Sequence, residues 1–111
     1  MPRRDPAFDH AVITAGVRMD AAAGLYRRLG FTPTPRGLHT LGSINHLIVL
    51  GSTYIELLGL PPETPDARPE IRDAPDGLDA LVFRSHDAEA TRVAASARGA
   101  PVGAVQQFSR P

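Results

Sequence analysis

The stretch LDALVFRSHDAEATRVAASARG, Leu78 to Gly99, can be laid over DHAVITAGVRMDAAAGLYRRLG, Asp9 to Gly30, without a gap. In that register a strand, a four-residue break, a helix and a terminal glycine coincide, although few of the letters do. The repeat restricts the chain to folds that begin the same βα unit twice. At 111 residues both units belong to one domain's worth of chain.

The first unit reads in order. FDHAVIT, Phe8 to Thr14, is a strand with Phe8, His10, Val12 and Thr14 on one face and Asp9, Ala11 and Ile13 on the other. DAAAGLYRRLG follows as a helix, with Asp20 at its start, Arg27 and Arg28 in its last turn and Gly30 at the C′ position. Two prolines limit FTPTPRGLHT to a short edge strand around 37–40. INHLIVL and TYIELLG then form a hairpin around Gly51 and Ser52. The first unit, βαβββ, spans 7–60. Residues 61–77 are rich in proline and charge, so a surface linker is expected there. A partial second unit, βαβ, occupies 78–107, its last strand roughly PVGAVQQF. The class is α+β, with a ferredoxin-like sandwich as the alternative.

The second hairpin strand carries an acid, Glu56, between Ile55 and Leu57. Burying an ionised carboxylate without a partner costs several kcal/mol or more. Glu56 must therefore face water, be neutralised, or hold something positively charged. Parity puts Tyr54, Glu56 and Leu58 on one face, so strands one and four could bring Glu56 to His10. An imidazole with carboxylates is a ligand set suited to Zn²⁺, Fe²⁺, Mn²⁺ or Ni²⁺. The bland alternative is a solvent-facing acid.

Twelve arginines balance twelve acids, which argues against nucleic acid or an anionic membrane as partner. The absence of cysteine excludes disulfides, thiolate ligands and a cysteine nucleophile. No run approaches membrane-spanning length, and a cytoplasmic protein is the default expectation. Phosphate-binding loops, G-x-S-x-G elbows and H-E-x-x-H are also missing.

FDHAVI, YRRLGF and GLHTLGSINHLIVLGSTYIELLG together resemble the glyoxalase-like domain family of the vicinal oxygen chelate superfamily. That group includes glyoxalase I, extradiol dioxygenases and bleomycin-resistance proteins. The resemblance implies two units curving into an open barrel around a divalent metal, with ligands from the first and fourth strand of each unit. Carried over by position, His10 and Glu56 are ligands, and Asp79 holds the first-strand place of the second unit. His39, Asn45 and Tyr54 are implied as substrate-binding residues. Asn45 and His46 point to opposite faces, so only one of them can line a cavity, and His46 is expected on the outer face. The implied activity is that of a metal-dependent lyase, isomerase or dioxygenase on a small oxygen-bearing substrate, with Glu56 catalytic. A metal-free binding module is the alternative, and a homodimer that completes the barrel is the expected assembly.

Overall fold

The computed structural model describes residues 7–108 of the chain. Its elements are β1 (Phe8–Gly16), α1 (Met19–Arg28), β2 (Gly37–Leu38), β3 (Ile44–Leu50), β4 (Thr53–Gly59), α2 (Pro69–Arg72), β5 (Gly77–Phe83) and α3 (Ala88–Ala97). One five-stranded sheet runs in the order β2-β3-β4-β1-β5. β3 and β4 form the antiparallel hairpin, with Ile48 opposite Ile55 and Leu47 opposite Glu56. β1 lies parallel to β4 and antiparallel to β5. This order, with its central parallel pair, is that of the βαβββ reading rather than of the ferredoxin-like sandwich.

Alternation along the strands separates the faces. Ile44, Ile48 and Leu57 meet Met19 and Ala23 of α1 in the core, with Ile13, Tyr26 and Ile55 packed against them. Leu57 is wholly buried, and covering such a side chain contributes about 1.5–3 kcal/mol relative to leaving it in water. His46 shares this face and is buried, its Nδ1 2.7 Å from the Thr34 carbonyl. His10, Val12, Thr14, Asn45 and Glu56 are thereby directed to the opposite face.

The repeat is visible in three dimensions. Met19 to Ala88 and Arg28 to Ala97 are the same step along the chain, so α1 and α3 coincide end for end. Gly30 and Gly99 both take positive φ. Each helix closes alike: Phe31 N bonds the Tyr26 carbonyl, and Ala100 N the Ala95 carbonyl. α3 starts on Asp87, whose carboxylate accepts from Ala90 N. α1 begins one residue before Asp20, which lies in the first turn and pairs with Arg36.

Two expectations need correction. PVGAVQQF is irregular chain rather than a strand. In the repeat register it answers to the loop and the two-residue β2 of the first unit. The proline-rich segment is no bare linker either. Pro69 supplies the preset φ of a helix start, α2 forms, and Ile71 is buried along with Leu60.

Candidate functional site

On the face away from α1, the sheet presents side chains in rows. Tyr54 and His10 are neighbours across β4 and β1, with Val82 beyond on β5. The next row is Leu47, Glu56, Val12 and Ala80. His10 and Glu56 are therefore diagonal neighbours on a parallel pair, and their side chains meet: His10 Nε2 lies 3.2 Å from Glu56 Oε1. The imidazole stacks on Tyr54 with centroids 4.3 Å apart and planes 9° from parallel. Both polar side chains are largely shielded, 12% and 13% exposed.

The ring's far nitrogen, His10 Nδ1, is 2.6 Å from Asp9 Oδ2. Strict alternation would send Asp9 to the other face. The β1–β5 register slips between Phe8 and His10, and such a bulge re-aims the side chain it carries. Arg84 fixes the same carboxylate, with Nε 2.8 Å from Asp9 Oδ1 and a second nitrogen 2.7 Å from the Ser52 carbonyl. The Arg84 hydrogen bond first, and that of His10 second, pull the Asp9 pKa down to about 2. Asp9 is thus anionic at neutral pH and accepts the Nδ1 proton of His10.

The other Glu56 oxygen is held from β3. Asn45 Nδ2 donates to Oε2 at 2.8 Å, and the same nitrogen is 3.2 Å from His39 Nε2. His39 Nδ1 is 2.6 Å from Ser43 Oγ, which also accepts from Arg68 Nη1 at 3.2 Å. Phe108 meets His39 edge-on, ring centroids 6.3 Å apart.

Five of the six residues expected at the site are thus brought together: His10, Glu56, Tyr54, Asn45 and His39. Asp79 is not among them. It is exposed and lies at the β5 bulge, between the partners of Val12 and Ile13, while the β5 residue opposite His10 is Val82. Asp9, Arg84, Ser43 and Arg68 join the network without having been singled out, since bulges and loop contacts leave no periodic trace.

A resident zinc-like ion needs three or four protein donors. The His10–Glu56 spacing suits two donors about 2.1 Å from one ion. Glu56 Oε2 and His39 Nε2, 3.5 Å apart, share the Asn45 amide instead. Among the described residues, no group of three or more His, Cys, Asp and Glu is arranged to hold a metal ion. The expected Zn, Fe, Mn or Ni site is therefore not completed by these side chains. A separate, largely apolar cavity of about 310 Å³ lies beside α1, lined by Ile13, Ala21, Leu25 and Tyr26 among others. It adjoins none of the six. Among the described residues, no helix is long and apolar enough to cross a membrane.

A family profile described as a glyoxalase-like domain matches residues 8–111. No curated protein sequence matches the chain. Among solved structures, a hypothetical protein from Bacillus halodurans C-125 aligns with a TM-score of 0.67 at 16% identity, covering 86% of this chain and 70% of that one. Methylmalonyl-CoA epimerase in complex with methylmalonyl-CoA and NH4+ aligns with a TM-score of 0.65 at 20% identity, covering 85% and 70%. Methylmalonyl-CoA epimerase from Mycobacterium tuberculosis gives 0.63 at 20% identity, covering 84% and 64%. At these identities the likeness is one of fold.

Proposed function

The chain belongs to the glyoxalase-like domain family, and from that premise we propose a lyase- or isomerase-type enzyme in which Glu56 moves a proton beside an oxygen of a small substrate. The observation that carries this reading is the clamping of one carboxylate from both sides. His10 stands on one Glu56 oxygen and Asn45 on the other, so the carboxylate is aimed before any substrate arrives. With the proton of His10 on Nδ1, its Nε2 presents a lone pair to Glu56 Oε1. Two acceptors at 3.2 Å repel unless a proton or another cation lies between them. A proton taken up by Glu56 Oε1 would meet the His10 Nε2 lone pair as its hydrogen-bond acceptor. A fold neighbour that is an epimerase by name favours proton movement over oxygen insertion.

The assay is solvent exchange. Small 2-oxo acids and acyl thioesters are incubated with the protein in D₂O, and deuterium entering beside the carbonyl is followed by NMR. Glu56→Gln is expected to reduce exchange 10²–10⁴-fold, roughly what a positioned base supplies. Undiminished exchange in Glu56→Gln would remove Glu56 from this role. Tight binding without exchange, unaffected by chelator, would mark a metal-free binding module instead.

The proposal extends to a cytoplasmic location and to a homodimer. The dimer is supported by β5 being an edge strand among the described residues, with Leu78, Leu81 and Phe83 more than half exposed, and by α3 having no buried residue.

A further inference from the structure

We propose that His39 is a positioning residue for Glu56, held in a single tautomer by a hydrogen-bonded line that starts at Arg68 in the proline-rich segment. The role rests on Glu56 being the proton-moving group; the tautomer does not.

The argument starts from the carboxylate. An ionised Glu56 has only acceptors, so the Asn45 atom 2.8 Å from Oε2 must be the amide nitrogen. Turning the amide over would set oxygen against oxygen. That same nitrogen is 3.2 Å from His39 Nε2, so it meets a lone pair there, and the His39 proton belongs on Nδ1. Nδ1 faces Ser43 Oγ at 2.6 Å. Ser43 is completely buried, and Arg68 Nη1 donates to the same oxygen. The two donors, His39 and Arg68, use both lone pairs of the hydroxyl and fix where it stands.

The backbone is built to hold this line. Gly42 N bonds the His39 carbonyl, and His39 N bonds the Ser43 carbonyl, so the turn sets the two side chains together. Gly42 takes φ +98, and a Cβ there would stand 3.2 Å from the Ala67 side chain. The turn therefore rests against the residue that precedes Arg68. Arg68 itself is anchored by α2, whose Ile71 is buried, and by Glu70 at 2.7 Å.

With the proton moved to Nε2, the Asn45 amide and the imidazole would present donor to donor. The amide would turn away and free Oε2. His39 thus acts on Glu56 through Asn45, rather than by holding a substrate or an ion.

The test is long-range ¹H–¹⁵N correlation of the histidine ring nitrogens in ¹⁵N-labelled full-length protein, with His39 assigned by its loss in His39→Gln. The four histidines make the spectrum tractable. The native protein at neutral pH is expected to show His39 protonated on Nδ1 alone. A proton on Nε2, or on both nitrogens, overturns the proposal, and that reading needs no variant. Arg68→Met is expected to replace the single pattern by a mixture of tautomers, with His10 and His46 unchanged. An unchanged His39 pattern in Arg68→Met removes Arg68 from the line. For a substrate converted in the exchange assay, Arg68→Met should lower kcat about tenfold with KM within threefold. A native Nδ1–H tautomer together with undiminished exchange in Glu56→Gln would leave the line standing and refute the role of Glu56.

Discussion

Glu56 Oε1 and His10 Nε2 face each other at 3.2 Å across the parallel β1–β4 pair. The contact answers the difficulty posed by an acid in an apolar strand. Glu56 is neither solvated in the ordinary way nor buried alone, because each oxygen has a polar neighbour on an adjacent strand. The cost of withdrawing it from water is offset in part by the Asn45 hydrogen bond to Oε2, a hydrogen bond to a charged group being worth about 1.5–3 kcal/mol.

Asn45 carries half of that arrangement. It is 2% exposed, and Asn45→Leu keeps its bulk while leaving Glu56 Oε2 without its donor. The variant is expected to lose about 1–3 kcal/mol of stability by urea unfolding and to fall at least tenfold in the exchange assay. An active variant of unchanged stability would show that the amide does not hold the carboxylate.

Much of this was legible beforehand. The bounds of β3 and β4 agree with those read from alternation alone, because a hairpin buried on one face must alternate. The meeting of His10 with Glu56 follows from parity together with the β1–β4 pairing. Asp9 escaped because it sits at a register slip, where alternation stops predicting direction, and Asp79, expected at the site from its place in the repeat, sits at a second slip and stays outside the network. Arg68 escaped because proline and charge mark a loop but do not say what the loop touches. PVGAVQQF misled because its valines suggest a full strand, whereas its repeat counterpart is the proline-broken loop with the two-residue β2.

Asp9 should leave a signature in acid. Arg84, then His10, lower its pKa from 3.8 to about 2. A carboxylate depressed in the folded state contributes stability that is complete above the unfolded value and lost as pH falls through the folded one. The window therefore runs from about pH 4 to pH 2. Arg84→Gln should flatten the fall of stability over that window relative to the native protein, as followed by urea midpoints. Parallel curves would deny the Arg84–Asp9 tie.

Gly59 closes β4 against the β1–α1 corner. A Cβ there would lie 2.5 Å from the Gly16 carbonyl oxygen and 3.0 Å from Met19 Cε. The carbonyl cannot yield easily, since it accepts from Leu60 N at 2.8 Å. Gly59→Ala is expected to cost about 1–3 kcal/mol through overpacking, read from the unfolding midpoint. Neutral behaviour would mean that this corner relaxes freely.

The proposed dimer makes the sharpest demand on the second unit. Among the described residues β5 has β1 on one side and no strand on the other, and an unpaired strand edge is a template for another chain. Leu81, 57% exposed, stands opposite Ala11 on the α1 side of the sheet, with Leu78 opposite Ile13. A second copy that pairs at this edge would cover both leucines. Native mass spectrometry across a concentration series should show the dimer, and Leu81→Lys should shift it toward monomer, because an uncompensated charge at a covered position is costly. The His10–Glu56 pair lies on the opposite face, so the ring-nitrogen spectrum of His10 should survive the substitution. A native protein that stays monomeric at every concentration would refute the dimer, whereas a dimer indifferent to Leu81→Lys would place the interface away from β5.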